Sequence, residues 1–316
     1  MLLGIKLSGK SFPPTVLRAA LRKGDFIFMA ENCSHDCSSC GENCPSREGA
    51  SLKKQPHAMS DIKRVIAVVS GKGGVGKSMT CATLAAAAQA KGYVTAVMDA
   101  DITGPSIPKM FGVHERARGD ELGIYPCVSK GGVQMMSMNL LLENEDDPVV
   151  WRGALISGTV LQFWTDVIWQ GVDFMFVDMP PGTGDVPLTL FQSIPLDGII
   201  VVTTPQDLVG MIVAKAINMA QMMNVPILGI VENMSYLTCP DCGRKISVFG
   251  ESVVDSIALE HGIPAVAKVP IDRNLTLAAD SGKIEEIENN YLSDFFDKIA
   301  DVLYENDKAK KTEKKQ

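Results

Sequence analysis

The run Arg64-Val-Ile-Ala-Val-Val-Ser70, followed at once by Gly71-Lys72-Gly73-Gly74-Val75-Gly76-Lys77-Ser78, restricts what this chain can fold into more than any other feature. A continuous β-branched run is expected of a strand buried on both faces, and the alanine-rich stretch Lys77 to Lys91 behind it reads as a helix. A G-x-x-x-x-G-K-S loop set between such a strand and helix is a phosphate cradle. Its glycines let backbone N–H groups curl around phosphate oxygens, Lys77 neutralises the β and γ phosphates, and Ser78 is placed to ligate Mg²⁺.

A rival motif shares these residues. Gly71, Gly73 and Gly76 also satisfy G-x-G-x-x-G, and Asp99 lies about where the ribose-binding acid of a dinucleotide fold would fall. That fold needs neither a Lys-Ser pair at the helix start nor a second set of acids near the phosphates. Here Val177-Asp178-Met179-Pro180-Pro181-Gly182-Thr183-Gly184-Asp185 ends a later strand, with Asp178 where an acid holds Mg²⁺ directly or through water. The two motifs together favour a nucleoside triphosphate.

Further strands are expected at Val94–Asp99, Phe174–Asp178, Gly198–Thr203, Ile227–Glu232 and Ala265–Val269. Helices are expected at Ala154–Trp169, Leu208–Met223 and Val253–His261, with Leu122–Val128 and Gly132–Met138 as an inserted hairpin or pair of strands. This alternation predicts an α/β fold, a doubly wound and mostly parallel sheet that takes its ligand at the carboxyl ends of the strands. The expected boundaries are an N-terminal extension over 1–60, a P-loop domain over 61–305 and a disordered lysine-rich tail over 306–316. Within the extension, residues 45–60 are polar and broken by proline, hence a linker.

The ends of the chain carry their own signals. Lys6, Lys10, Arg18, Arg22 and Lys23 face a single acid, Asp25, without the apolar core of a signal peptide. An organellar presequence is one reading; a basic extension, or a start upstream of a natural one at Met29, is preferred. A last helix near Asn290–Tyr304 puts Leu292, Phe295, Phe296, Ile299, Val302 and Leu303 on one face. Its polar face holds Asp294, Asp297 and Asp301, where a membrane-surface helix would be basic, so it is expected to dock onto the sheet. Composition narrows the partners: 46% of 316 residues are hydrophobic, ample for a core, and the net charge of −7 opposes nucleic-acid binding. No stretch approaches the ~18 uncharged apolar residues of a membrane span. The expectation is a cytoplasmic protein with no nucleic-acid or membrane partner.

Lys72 at the second loop position exceeds what a phosphate cradle needs, and Asp99-Ala-Asp101-Ile-Thr-Gly-Pro-Ser-Ile-Pro108 brings a further carboxylate. Other motifs are Trp151-Arg152-Gly153, Thr204-Pro205-Gln206-Asp207, Val231-Glu232-Asn233-Met234-Ser235-Tyr236 and Cys239-Pro240-Asp241-Cys242-Gly243. With the two loops above, they make the chain resemble the deviant Walker A ATPases, the class of MinD and ParA. Within that class it is similar to the Mrp family of iron-sulfur cluster carrier ATPases. The resemblance implies a homodimeric ATPase in which Lys72 reaches the triphosphate of the opposing subunit. It also implies that Asp101 is a switch acid near the attacking water, that Asp178 is at the magnesium and that Asn233 contacts the adenine. Apo iron-sulfur proteins and the cluster assembly machinery are the implied partners. Two positions depart from the pattern. Met79 stands where the class commonly has a threonine whose hydroxyl meets the α-phosphate, leaving only a backbone N–H, and Thr103 stands where relatives often carry tyrosine.

Clustered cysteines in a chain of this size, without a secretory signal, read as metal or cluster ligands rather than disulfides. Cys239 and Cys242 supply two thiolates where a tetrahedral zinc or a four-iron cluster takes four, and a two-fold dimer completes the count. Alone, the C-P-D-C-G turn suits half a zinc ribbon equally well; the resemblance implies a bridged [4Fe-4S] cluster. Cys33, Cys37, Cys40 and Cys44 form a C-x3-C-x2-C-x3-C able to hold a cluster without a partner, with zinc and His35 as the other reading. Cys81 and Cys127 are expected as buried apolar side chains. Two alternatives stand beside the carrier: a MinD- or ParA-like positioning ATPase, which calls for a basic surface or basic amphipathic helix, and a zinc-stabilised regulatory ATPase, which differs only in the metal.

Overall fold

Runs rich in Val, Ile and Phe become the strands of the protein in a computed structural model that describes residues 52–102, 104, 106–142, 153–182, 184–205 and 209–313. In chain order the strands are β1 (Val65–Ser70), β2 (Thr95–Asp99), β3 (Arg118–Gly119), β4 (Ile124–Tyr125), β5 (Cys127–Val128) and β6 (Gln134–Met136). They continue as β7 (Phe174–Asp178), β8 (Gly198–Thr203), β9 (Ile227–Glu232), β10 (Leu237–Thr238), β11 (Lys245–Ile246) and β12 (Val266–Lys268). The helices are α1 (Lys77–Ala90), α2 (Ile107–Met110), α3 (Gly153–Thr165), α4 (Asp185–Ser193), α5 (Val209–Met222), α6 (Val254–Glu260), α7 (Arg273–Asp280) and α8 (Ser293–Glu313).

Among the described residues eight strands form one sheet in the order β12-β9-β8-β1-β7-β2-β6-β5. Every neighbouring pair is parallel except β5 with β6. The doubly wound expectation holds, with one correction. The pair expected as an insertion joins the main sheet, because β6 covers the otherwise open edge of β2, while β3 and β4 form a separate ribbon. Alternate residues of β1 feed two apolar layers. Ile66 and Val68 pack with α1 and α8, whereas Val65, Ala67 and Val69 pack with α3, α4 and α5.

The final helix docks as its pattern predicts: Phe296 meets Phe174 and Tyr93 edge-on, at centroid distances of 5.1 and 5.6 Å. The segment expected as a disordered tail is instead helical as far as Glu313. Lys, Ala and Glu are good helix formers, and extending a docked helix adds one hydrogen bond per residue without a new nucleus. Arg64, just before β1, pairs with Asp197 and with Asp307 on α8. The expected linker is also better anchored than its composition implies. Lys54 accepts a hydrogen bond from the Trp164 indole at 2.9 Å, and Ser60 Oγ donates to Val167 at 3.1 Å. The chain accordingly divides into units Met1–Lys53 and Lys54–Gln316. Cys33, Cys37, Cys40 and Cys44 lie outside the described residues.

Close packing of α8 on β9 depends on Gly229, where a Cβ would sit 2.6 Å from the Phe295 ring and 2.9 Å from the Ala265 carbonyl. Gly229→Ala is therefore expected to destabilise the domain by ~1–3 kcal/mol through overpacking. Urea unfolding reads this directly, and an unchanged midpoint contradicts the packing described.

Five neighbouring strands end in polar residues that are nevertheless buried: Ser70, Asp99, Asp178, Thr203 and Glu232. Asp99 faces Asp178 across β2 and β7, and Thr203 faces Glu232 across β8 and β9. Buried polar groups cost free energy unless something pairs with them, so this carboxyl edge is where a ligand is to be sought.

Candidate functional site

The phosphate loop runs from that edge into α1. Gly74 and Gly76 adopt φ of 78° and 82°, a left-handed backbone that side chains disfavour, and this turns successive peptide groups toward one side. Gly76 is the N-cap of α1 and offers no side-chain cap, so the first N–H groups of the helix are left for a ligand. A side chain at Gly76 would also collide with Asn233, whose Nδ2 donates to the Val75 carbonyl at 2.9 Å. Met79 packs its side chain on the apolar core.

Lys77 is buried among acids. Its Nζ lies 2.6 Å from Asp178 Oδ1 and 3.6 Å from Asp101 Oδ2. Burial alone would lower the lysine, but the charge and hydrogen bond of Asp178, then Asp101 and Asp99, outweigh it and raise its pKa above the ordinary value. Asp178 is itself pushed up, by burial first, against the opposing pull of Lys77 and a hydrogen bond from Ser78. Asp99 is also pushed up, to about 8, through burial and then the neighbouring Asp178 charge. Ser137 Oγ donates to Asp99 at 3.0 Å, and the Asp101 backbone N–H donates to its other oxygen at 3.2 Å. Asp99 therefore holds the backbone at Asp101 in place.

Magnesium fits this donor set. Asp178 Oδ2 is buried with no hydrogen-bond partner, and Ser78 already touches the same carboxylate, so a hydroxyl and an unpaired oxygen meet at the loop. The sequence reading assigned Lys77, Ser78, Asp101 and Asp178 separately, and the fold gathers them. It overlooked Ser137, which carries no motif and reaches Asp99 only because β6 joins the sheet. It quoted Gly182 within a motif without giving it a role; its N–H donates to the Ser70 carbonyl at 2.9 Å and pins the loop after β7 to the end of β1, where the phosphate loop begins. Lys72 is half-buried in the loop, and Thr103, Trp151, Arg152, Thr183, Gln206 and Asp207 lie outside the described residues.

A second centre sits on the β10–β11 hairpin. Cys239 N–H donates to Arg244 and Gly243 N–H donates to Cys239, both at 2.9 Å, and Gly243 takes φ of 70° to close the turn. The backbone N–H of Cys242, then that of Asp241, point at the Cys239 sulfur and hold its thiol below the usual range. Cys239 is half-buried and Cys242 exposed. Among the described residues no third His, Cys, Asp or Glu joins them in a group able to hold a metal. Cys81 is fully buried, as expected. Cys127 is only half-buried, because it lies on the edge strand β5, where its thiol donates to the Glu115 carbonyl at 3.2 Å.

Comparison with known proteins bears on both centres. The family described as ParA, NUBPL iron-transfer P-loop NTPase, matches residues 61–304. An iron-sulfur cluster carrier protein of Clostridium perfringens is 42% identical over 266 residues, 79% of this chain and 93% of that one. One from Methanocaldococcus jannaschii is 41% identical over 293 residues, 90% of this chain and all of its own length, 100%. Among solved structures, a nucleotide-binding protein from Archaeoglobus fulgidus in complex with ADP is 39% identical, with a TM-score of 0.67 over 73% of this chain and 91% of that one. The cell division ATPase MinD of Pyrococcus furiosus, 20% identical with a TM-score of 0.55 over 77% of this chain and 99% of its own, shares the fold. No helix among the described residues is long and apolar enough to cross a membrane. By the span of the family match and the identity to these carriers, the chain belongs to the NUBPL iron-transfer P-loop NTPases, the Mrp-type iron-sulfur cluster carriers of the MinD and ParA class.

Proposed function

We propose that the protein is a cytoplasmic ATPase that receives or assembles a [4Fe-4S] cluster between the Cys239–Cys242 pairs of two copies and hands it to apoproteins. The observation that carries this reading is the cysteine hairpin: a thiol eased toward thiolate by two backbone N–H groups, beside a second exposed thiol, with half the ligands a four-iron cluster takes. A two-fold partner supplies the other half. Cluster assembly machinery and apo iron-sulfur proteins are the partners such cargo calls for, and Cys33, Cys37, Cys40 and Cys44 are the proposed ligands of a further cluster. Anaerobic purification and reconstitution, followed by iron, sulfide and zinc analysis, tests the reading. Iron and sulfide bound through Cys239 and Cys242 support it; zinc without iron overturns it in favour of the regulatory zinc ATPase.

On the nucleotide side, Ser78 and Asp178 would hold magnesium, which would supply positive charge beside the phosphate oxygens. The loop N–H groups and Lys77 bind the β and γ phosphates, Asp101 orients the attacking water, and Asn233 contacts the adenine. Lys72 acts across the dimer on transition-state charge. Lys72→Ala is then expected to leave ATP affinity within ~3-fold while slowing hydrolysis at least ~10-fold, the pattern of an interaction made mainly in the transition state. Mixing it with a Lys77 variant probes action in trans, and unchanged turnover of the Lys72→Ala homodimer removes Lys72 from the mechanism.

A further inference from the structure

The two centres are joined by a short stretch of backbone that is held at both ends and in between. At its start Asn233 N–H donates to the Thr203 carbonyl at 2.8 Å, while its side chain grips Val75 inside the phosphate loop. Met234 then turns the chain with φ of 56°, a left-handed conformation that is strained for a non-glycine residue. Ser235 N–H donates to Val269 at 2.9 Å, and its hydroxyl donates to Glu232 at 2.6 Å. Glu232 is fully buried and its other oxygen has no partner, so the Ser235 bond is one that the fold strongly resists giving up. Tyr236 accepts from Ile271 N–H at 2.8 Å and carries the Lys245 ammonium 4.4 Å above its ring. Leu237 and Thr238 are paired with Ile246 and Lys245, and Cys239 follows.

We infer that Asn233–Cys239 is a strap that couples the state of the phosphate loop to the posture of the cysteine hairpin, with Met234 as its positioning residue. Phosphate bound by the loop N–H groups reorients the peptide planes whose Val75 carbonyl holds Asn233. A displacement at Asn233 has little slack to dissipate in, because each following anchor is a hydrogen bond, a buried pair or a strand pairing. It therefore reaches the β10–β11 turn, where the Cys239 N–H is held by the Arg244 carbonyl and the Cys239 carbonyl by the Gly243 N–H. The coupling is a free energy between two sites and so is reciprocal: whatever nucleotide does to metal affinity, metal does to nucleotide affinity. This inference rests on the reading of Cys239 and Cys242 as metal ligands.

The test uses full-length chain with Cys33, Cys37, Cys40 and Cys44 replaced by alanine and Co²⁺ as the metal probe, read by thiolate-to-cobalt absorbance. Co²⁺ is titrated with and without saturating non-hydrolysable ATP analogue, and the analogue is titrated with and without Co²⁺. The parent protein is expected to show the same affinity ratio in both directions, in the range of about 5–150-fold that allosteric coupling usually spans. Met234→Gly removes the left-handed strain and frees the backbone at that joint. It is expected to bring the ratio to within ~2-fold of unity while each ligand measured alone binds within ~3-fold of the parent, since neither site loses a contact. A residue with only a structural role would shift both single affinities or the melting temperature and leave the ratio. A glycine inserted between Tyr236 and Leu237 is expected to act in the same way from the other side of the Ser235 anchor. A ratio preserved in both variants, or a ratio of one in the parent with Co²⁺ bound, overturns the strap alone. Failure of Co²⁺ to bind Cys239 and Cys242 overturns the carrier reading together with it.

Discussion

Lys77→Ala is expected to abolish tight ATP binding, weakening it by ~100-fold or more. The lysine makes charge-assisted hydrogen bonds to phosphate, each of about 1.5–3 kcal/mol, and two of them already account for that factor. Equilibrium nucleotide titration reads the loss, and wild-type affinity in the variant would falsify the phosphate-loop assignment. A second effect follows from the same substitution, because Lys77 also compensates Asp178, Asp101 and Asp99. Without it the two buried carboxyls rise further above the ordinary value, being already raised in the intact site. A carboxyl whose folded pKa is raised contributes stability that is complete below its unfolded value, near 3.8, and is lost as pH climbs through the folded one. The variant should thus lose most stability at neutral and alkaline pH and recover toward the parent near pH ~5. Urea midpoints at both pH values decide this, and a pH-independent deficit contradicts the charge account.

Cys239→Ala or Cys242→Ala is expected to eliminate the bridging cluster and its transfer, with ATP affinity spared. Symmetry doubles the loss, so one substitution per chain removes two of four thiolates, and the remaining pair cannot complete a four-iron site. Cys33, Cys37, Cys40 and Cys44 are replaced in the same background so that a cluster held there does not mask the result. Iron and sulfide per protein, measured after anaerobic reconstitution, should fall to background. Iron retained at the parental level would remove both cysteines from the cargo site.

Motif residues were legible because their chemistry leaves few alternatives: a Gly-rich loop between strand and helix, and a carboxylate closing β7, point to one ligand edge. The central strands were equally plain, since β7, β8 and β9 begin and end at the expected residues. What the sequence did not disclose depends on pairing between distant segments. Gln134–Met136 reads as part of a local hairpin, and only its register with Ala96–Met98 brings Ser137 under Asp99. The hold of Asn233 on Val75 spans 158 positions, and no local pattern encodes it. The helix beyond Tyr304 was overlooked because its lysines suggest solvation, whereas the docked turns before it had already overcome the cost of nucleation.

The clasp between Arg64 and Asp307 also bears on how the chain becomes a protein during synthesis. The partners lie 243 positions apart, and Phe296 of α8 likewise reaches back to Phe174 of β7 and to Tyr93. The strand that carries the phosphate loop is therefore translated early, yet its apolar layer stays open until the last helix leaves the ribosome. At about 5–20 residues per second, that interval is roughly 10–50 s. Throughout it the β-branched run of β1 is a sticky, unfinished surface. A nascent chain of this kind needs shielding until α8 arrives, and truncations before Phe295 should appear in cells as aggregates rather than as shorter working domains.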